Sequence, residues 1–229
     1  MRKILLSGAI ALALGSASFA GQAAESATLS LTGTISPGAC DVSLSSESVD
    51  FGKIAASTLS DTMNELKASP VTLSVACDAA TAVAVQAVDN RTSSAMNAED
   101  IKSTMGITFA ALNDQHFFGL GNDSTGEKIG TMLMSITGAT LEGSTNNNVL
   151  TSSDKSAWTM KTVSPTSSQV VENNGYFALG KTADSTTPAA LTNASYTINS
   201  GIYLKKSDKY PGGEEVNIDG SVTFSVVYL

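Results

Sequence analysis

From Thr28 to Ile35 the chain reads TLSLTGTI, with Leu29, Leu31 and Ile35 on alternate positions and Thr28, Ser30, Thr32 and Thr34 between them. A repeat of two is the signature of a strand with one apolar face. The apolar row is interrupted at Gly33, where another Leu or Val would continue it. The same alternation returns in Val71 to Cys77 (VTLSVAC) and in Ala82 to Val88 (AVAVQAV). It is strongest in Ser221 to Leu229 (SVTFSVVYL), where Val222, Phe224, Val226 and Tyr228 share one face.

Between these stretches the pattern predicts a series of short strands. Ser36-Pro37-Gly38 is a turn, since Pro presets φ and Gly tolerates positive φ. Asp41 to Leu44 and Ser48 to Phe51 read as strands, the second ended by Gly52. Leu59, Met63 and Leu66 stand at helical spacing, so Ser57 to Ala68 reads either as a helical turn or two or as a long loop. The two central alternating runs, separated by Asp78-Ala79-Ala80-Thr81, predict a β-hairpin. Asn97-Ala98-Glu99-Asp100 offers a helix cap followed by acids, which predicts a helical turn over Asn97 to Thr104.

Further strands are predicted at Gly106 to Leu112, Phe117 to Leu120, Ile129 to Ile136, Ala157 to Val163, Gly175 to Leu179 and Tyr196 to Leu204. The links among them, such as Gly121 to Gly126 and Gly143 to Asn148, are rich in Gly, Asn, Ser and Thr. Pro211-Gly212-Gly213 turns the chain into Glu215 to Ile218 ahead of the last strand. Many short strands with turn signals between them point to an all-β sandwich in one domain.

Composition adds a compartment. Arg2 and Lys3 precede the apolar run Ile4 to Gly15, and Ser18-Phe19-Ala20 supplies small residues for cleavage, so Met1 to Ala20 reads as a bacterial-type export signal. That apolar run is too short for a membrane span, and no other stretch reaches the length one needs. Removing Arg2 and Lys3 leaves 11 basic residues against 21 acidic ones, a net charge of −10. A strongly negative chain without basic clusters is a poor partner for nucleic acid or anionic lipid. Cys40 and Cys77 are the only cysteines, and an even count in an exported chain reads as a disulfide.

The residues that could carry chemistry are few. His116 is the only histidine, which makes a metal site with the two thiols improbable, and no nucleophile or paired-carboxylate motif stands near it. Asn122 to Gly126 lacks the second acid and the terminal Glu of a calcium loop and reads as a turn. Trp158 reads as a core residue before a sugar platform. These observations predict neither an enzyme nor a cofactor.

The segments LSLTGTISPGAC (Leu29 to Cys40), Val49-Asp50-Phe51-Gly52-Lys53-Ile54, the strand ending at Cys77, and the ending GSVTFSVVYL with Tyr228 next to last resemble, in that order, the subunits (pilins) of chaperone–usher fimbriae. The resemblance implies an incomplete immunoglobulin-like sandwich, completed by donor-strand complementation. It divides the chain into an export signal (1–20), a donor-strand extension (21–36) and a pilin-like domain (37–229). Leu29, Leu31, Gly33 and Ile35 would then be the donated positions, with Gly33 meeting a shallow part of the neighbour's groove. Val222, Phe224, Val226 and Tyr228 would line this subunit's own groove and meet the chaperone. The partners it implies are a periplasmic fimbrial chaperone, an outer-membrane usher and neighbouring fimbrial subunits, at the cell surface. The rival expectation is a self-contained secreted β-sandwich that binds a glycan or matrix ligand.

Overall fold

The computed structural model describes residues 27–34 and 38–229, and the chain divides into two units, 1–35 and 36–229. The export signal expected at Met1 to Ala20, and Ile35 with the start of the Ser36 turn, lie outside the described residues. In the first unit, Ala27 to Thr34 is exposed and carries no regular secondary structure. A lone strand has no ladder partner for its backbone groups, so alternation by itself does not make one.

The second unit is all-β. Its strands are β1 (Cys40–Leu44), β2 (Met63–Lys67), β3 (Val71–Asp89), β4 (Phe118–Gly119), β5 (Gly130–Leu141) and β6 (Ser144–Thr145). They continue with β7 (Asn148–Ser152), β8 (Thr159–Thr162), β9 (Gln169–Val170), β10 (Tyr176–Leu179), β11 (Ala190–Lys205) and β12 (Val222–Tyr228). One α-helix, α1 (Ala98–Met105), lies between β3 and β4.

The expected hairpin does not form. Val71–Asp89 is one strand of 19 residues. Asp78 to Thr81 contains no Gly, Asn or Pro to reverse the chain, so the backbone stays extended and changes partners instead. Its first half pairs with β1 and β11, and its second half with β10 and β12. The change falls at a bulge in the β11 ladder, where Leu191 faces Thr81 and Asn193 faces Ala76. The extra residues on one side bend the strand, and the curled sheet becomes two layers. One layer runs β1–β3–β11–β5, with β2 beside the far end of β11 and β4, β6 and β9 along β5. The other runs β12–β3–β10–β7–β8.

The inner faces of the layers make the core. Leu73, Val75, Ile136, Tyr196 and Ile198 from the first layer meet Val83, Val85, Val149, Phe177 and Leu179 from the second. Phe177 stands edge-on to Tyr196 with ring centres 4.9 Å apart, and burial pushes the Tyr196 phenol far above its ordinary value. The cystine is formed: Cys40 and Cys77 are directly opposed on β1 and β3, with Cα atoms 4.0 Å apart.

Other local expectations need correcting. Ser48 to Phe51 and Gly106 to Leu112 are irregular, having no neighbouring ladder to join. Part of Ser57 to Ala68, expected as helix or loop, is β2 on the β11 ladder, because that pairing satisfies its backbone where two helical turns would not. Ser144–Thr145, inside the link expected from Gly143 to Asn148, closes a tight hairpin on β5, and Asn148 starts β7. The helix does form, shifted one residue toward the C-terminus of the expected span, and Asn97 with Asp100 makes a reciprocal capping box.

Candidate functional site: an open apolar seam

Among the described residues, β1 and β12 each have one ladder neighbour, and for both it is β3. Their opposite edges are free. The ladder pattern says which residues face that edge, since in an antiparallel pair alternate residues turn their backbone groups toward the partner. On β12, Ser221 O accepts from Asn90 N and Leu229 N donates to Ala82 O. The odd-numbered residues therefore bond to β3, and Val222, Phe224, Val226 and Tyr228 present N–H and C=O outward. On β1, Ala39 O accepts from Asp78 N and Ser45 N donates to Thr72 O. That leaves Cys40, Val42 and Leu44 facing outward.

The two edges meet at one end. Cys40 N donates to the Tyr228 hydroxyl at 2.9 Å. Away from that contact they part around an apolar groove of about 300 Å³. Leu44, Val222 and Phe224 form its lips, and Met132, Met134, Ile198 and Ile202 lie in its floor. These floor residues come from the inner faces of β5 and β11, so the groove opens onto the interior. Among the described residues Glu47 is the only ionisable side chain lining it, beside Ser46, Ser48, Ser200 and Ser221. Val49, Phe51 and Ile218 also line a second groove of about 630 Å³, between residues 50–56 and 210–218. Tyr210 anchors that end: its hydroxyl accepts from Lys205 N at 2.9 Å and donates to Ile129 O at 2.7 Å, and burial raises the phenol to about 12.

The predicted groove strand divides in two. Val222, Phe224 and Val226 pack against the main core, and Val222 and Phe224 also line the groove. Tyr228 is 49% exposed and reaches β1 instead. Of the predicted donor positions, Leu29 and Leu31 are 83% and 88% exposed, Gly33 has open space where a Cβ would stand, and Ile35 is outside the described residues. The groove floor was not foreseen, because its residues are scattered from Met132 to Ile202 and only the fold gathers them.

The residues with possible chemistry have structural partners. His116 is buried; its Nδ1 accepts from Asn113 N at 3.0 Å, and its Nε2 lies 3.4 Å from Glu172. Asp123 Oδ1 accepts from Thr125 N, Thr125 Oγ1 and Glu127 N, which closes the turn the sequence predicts there. Trp158 packs with Met160 and Tyr176 over Ala84, Leu150 and Ala178, a small cluster apart from the main core. Among the described residues no cluster of His, Cys, Asp or Glu has the grouping to hold a metal ion, and no helix is long and apolar enough to cross a membrane.

Comparison with known proteins covers both the seam and the segment before it. Residues 29–133 match the family described as "Protein of unknown function (DUF1120)". The chain is 26% identical over 238 residues to "Uncharacterized protein YhcF" of Escherichia coli (strain K12), covering 95% of this chain and 98% of that protein. It is 28% identical over 254 residues to "Protein GltF" of the same organism, covering 100% of this chain and 99% of that protein. The family match begins at Leu29 and takes in Gly33, both cysteines and β1 to β4.

Proposed function

We propose that this chain is a structural subunit of a chaperone–usher surface fimbria. It is exported through the periplasm, held there by a chaperone, and joined at the usher to further subunits by donor-strand exchange, in support of cell adhesion. The observation that carries the reading is the seam. Two edge strands turn unpaired backbone groups toward each other's side of an apolar groove that reaches the core. A free edge over exposed core is an aggregation hazard, and a strand taken from another chain removes it, as in strand addition generally.

The segment from Leu29 to Ile35 has the right character to be that strand. It alternates, it bears no charge, and Leu29 and Leu31 stand in solvent. Burying Leu29, Leu31 and Ile35 in a neighbour contributes roughly 5–9 kcal/mol, at about 1.5–3 each, before the backbone pairing. Release requires the whole strand to unzip, which makes such a joint durable in a fibre outside the cell.

The test is periplasmic co-expression with a fimbrial chaperone, size-exclusion chromatography, and challenge with a synthetic peptide of Ala27 to Pro37. The expected result is a one-to-one complex that hands the subunit to the peptide. A stable monomer that ignores both partners overturns the reading and leaves the closed, ligand-binding sandwich as the better account.

A further inference from the structure

Tyr228 has a place in the seam that the apolar alternation of its strand does not explain. Its neighbours on that face, Val222, Phe224 and Val226, turn inward to the core, while Tyr228 is half exposed and its hydroxyl spans to the other edge. What it bonds there is not incidental. Cys40 N is one of the outward-facing donors of β1, the group to which the carbonyl of an inserted strand would bond. The phenol oxygen already holds that position at 2.9 Å. Cys40 is held from behind as well, by its cystine to Cys77 on the adjacent strand, so the contact fastens the end of β12 to a fixed point.

We propose that Tyr228 is the stop that sets how far a donated strand runs along the seam, an inference that rests on the strand-donation reading above. A strand entering at the Leu44 and Val222 end finds free donors and acceptors at Leu44, Val42, Val222, Phe224 and Val226. At Cys40 it meets the tyrosine hydroxyl. A strand that ends before that point leaves the bond intact; one residue pair further, it must displace the phenol. The incoming segment is the N-terminal stretch of a second copy, around Leu29 to Ile35, which alternates, bears no charge and holds Leu29 and Leu31 in solvent. Tyr228 thereby limits register, since a donor slid onward by two residues keeps its apolar face inward but must displace the phenol from Cys40 N.

The test uses the full mature chain and its Tyr228→Phe variant, which keeps the ring and loses the hydroxyl. Amide hydrogen exchange is followed by NMR with and without the Ala27 to Pro37 peptide, together with the rate of peptide dissociation. In the empty wild type, the Cys40 amide is expected to be protected and those of Val42, Leu44, Val222, Phe224 and Val226 to exchange freely. Peptide should protect these five and leave Cys40 unchanged. In Tyr228→Phe, the Cys40 amide should exchange freely when empty and gain protection with peptide, and dissociation should slow by roughly two- to tenfold, the worth of one added hydrogen bond. Free exchange of Cys40 in the empty wild type, or identical peptide protection and dissociation in both proteins, overturns the proposal. If Cys40 is protected through the hydroxyl but neither protein takes up peptide, the strand-donation reading fails and the stop fails with it, while the contact itself stands.

Discussion

The Asp89 carboxylate accepts the backbone N–H of Gly119 at 2.9 Å, joining the end of β3 to β4 inside the protein. Its other oxygen accepts from Arg91 N at 2.8 Å. A side chain at Gly119 has no room there, because a Cβ would stand 2.1 Å from Arg91 O. Replacing Asp89 by Ala leaves the Gly119 N–H buried without a partner, which costs about 1–3 kcal/mol. Urea unfolding of the Asp89→Ala and Asp89→Asn variants should show the larger loss for Ala, since Asn keeps one acceptor.

Phe177 is one of the contacts between the layers. It meets Tyr196 across the core and Phe224 of the groove strand, with ring centres 4.9 and 6.4 Å apart. Truncation to Ala is expected to cost about 3–5 kcal/mol. It should also loosen β12, so amide exchange at Ser225 and Val227 should rise more than at β8, on the far side of the same layer.

Substituting Ser for both Cys40 and Cys77 removes a cross-link between residues 37 apart in the chain. In the chain-entropy picture this costs about 4 kcal/mol, and it frees the β1 edge of the seam. The check is periplasmic yield and urea midpoint; values equal to wild type would mean that the ladder alone holds β1.

Gly33→Leu tests the donor segment apart from the fold. Among the described residues nothing lies within 4 Å of where a Cβ at Gly33 would stand, so the folded domain should be unaffected. If Gly33 meets a shallow part of a neighbour's groove, the added side chain overpacks it at about 1–3 kcal/mol, so a variant peptide should bind at least roughly fivefold more weakly. Equal binding of the two peptides in a competition assay argues against the donor assignment at this position.

Strong acid should loosen the surface loop that Asp154 closes. Asp154 accepts from Ser156 Oγ, from the backbone N–H groups of Ser156 and Ala157 and from Ser152 Oγ, which lowers its carboxyl from 3.8 to about 2. A depressed folded value stabilises the loop fully above the unfolded value, near pH 4, and this contribution is lost as pH falls through about 2. An NMR titration of the Asp154 carboxyl should have its midpoint near 2, and the Asp154→Asn variant should remove the transition.

Sequence alone determined what depends on neighbours along the chain. The all-β class, the helix cap at Asn97, the paired cysteines and the apolar row of Val222, Phe224 and Val226 all follow from residue type and spacing. Tertiary structure decided whatever depends on which backbone stands alongside. Only the ladders show that Val71–Asp89 runs through instead of turning, because an alternating pattern with no reversing residue is silent about its partners. For the same reason Ser48 to Phe51 is no strand and Met63–Lys67 is one. The seam is the furthest from local pattern. Its floor is drawn from Met132 to Ile202, its free edges follow from the parity of two ladders, and the Cys40 to Tyr228 bond joins residues 188 positions apart. Hydrophobic spacing says which face of a strand is apolar, but whether its edge is left unpaired is a property of the assembled sheet.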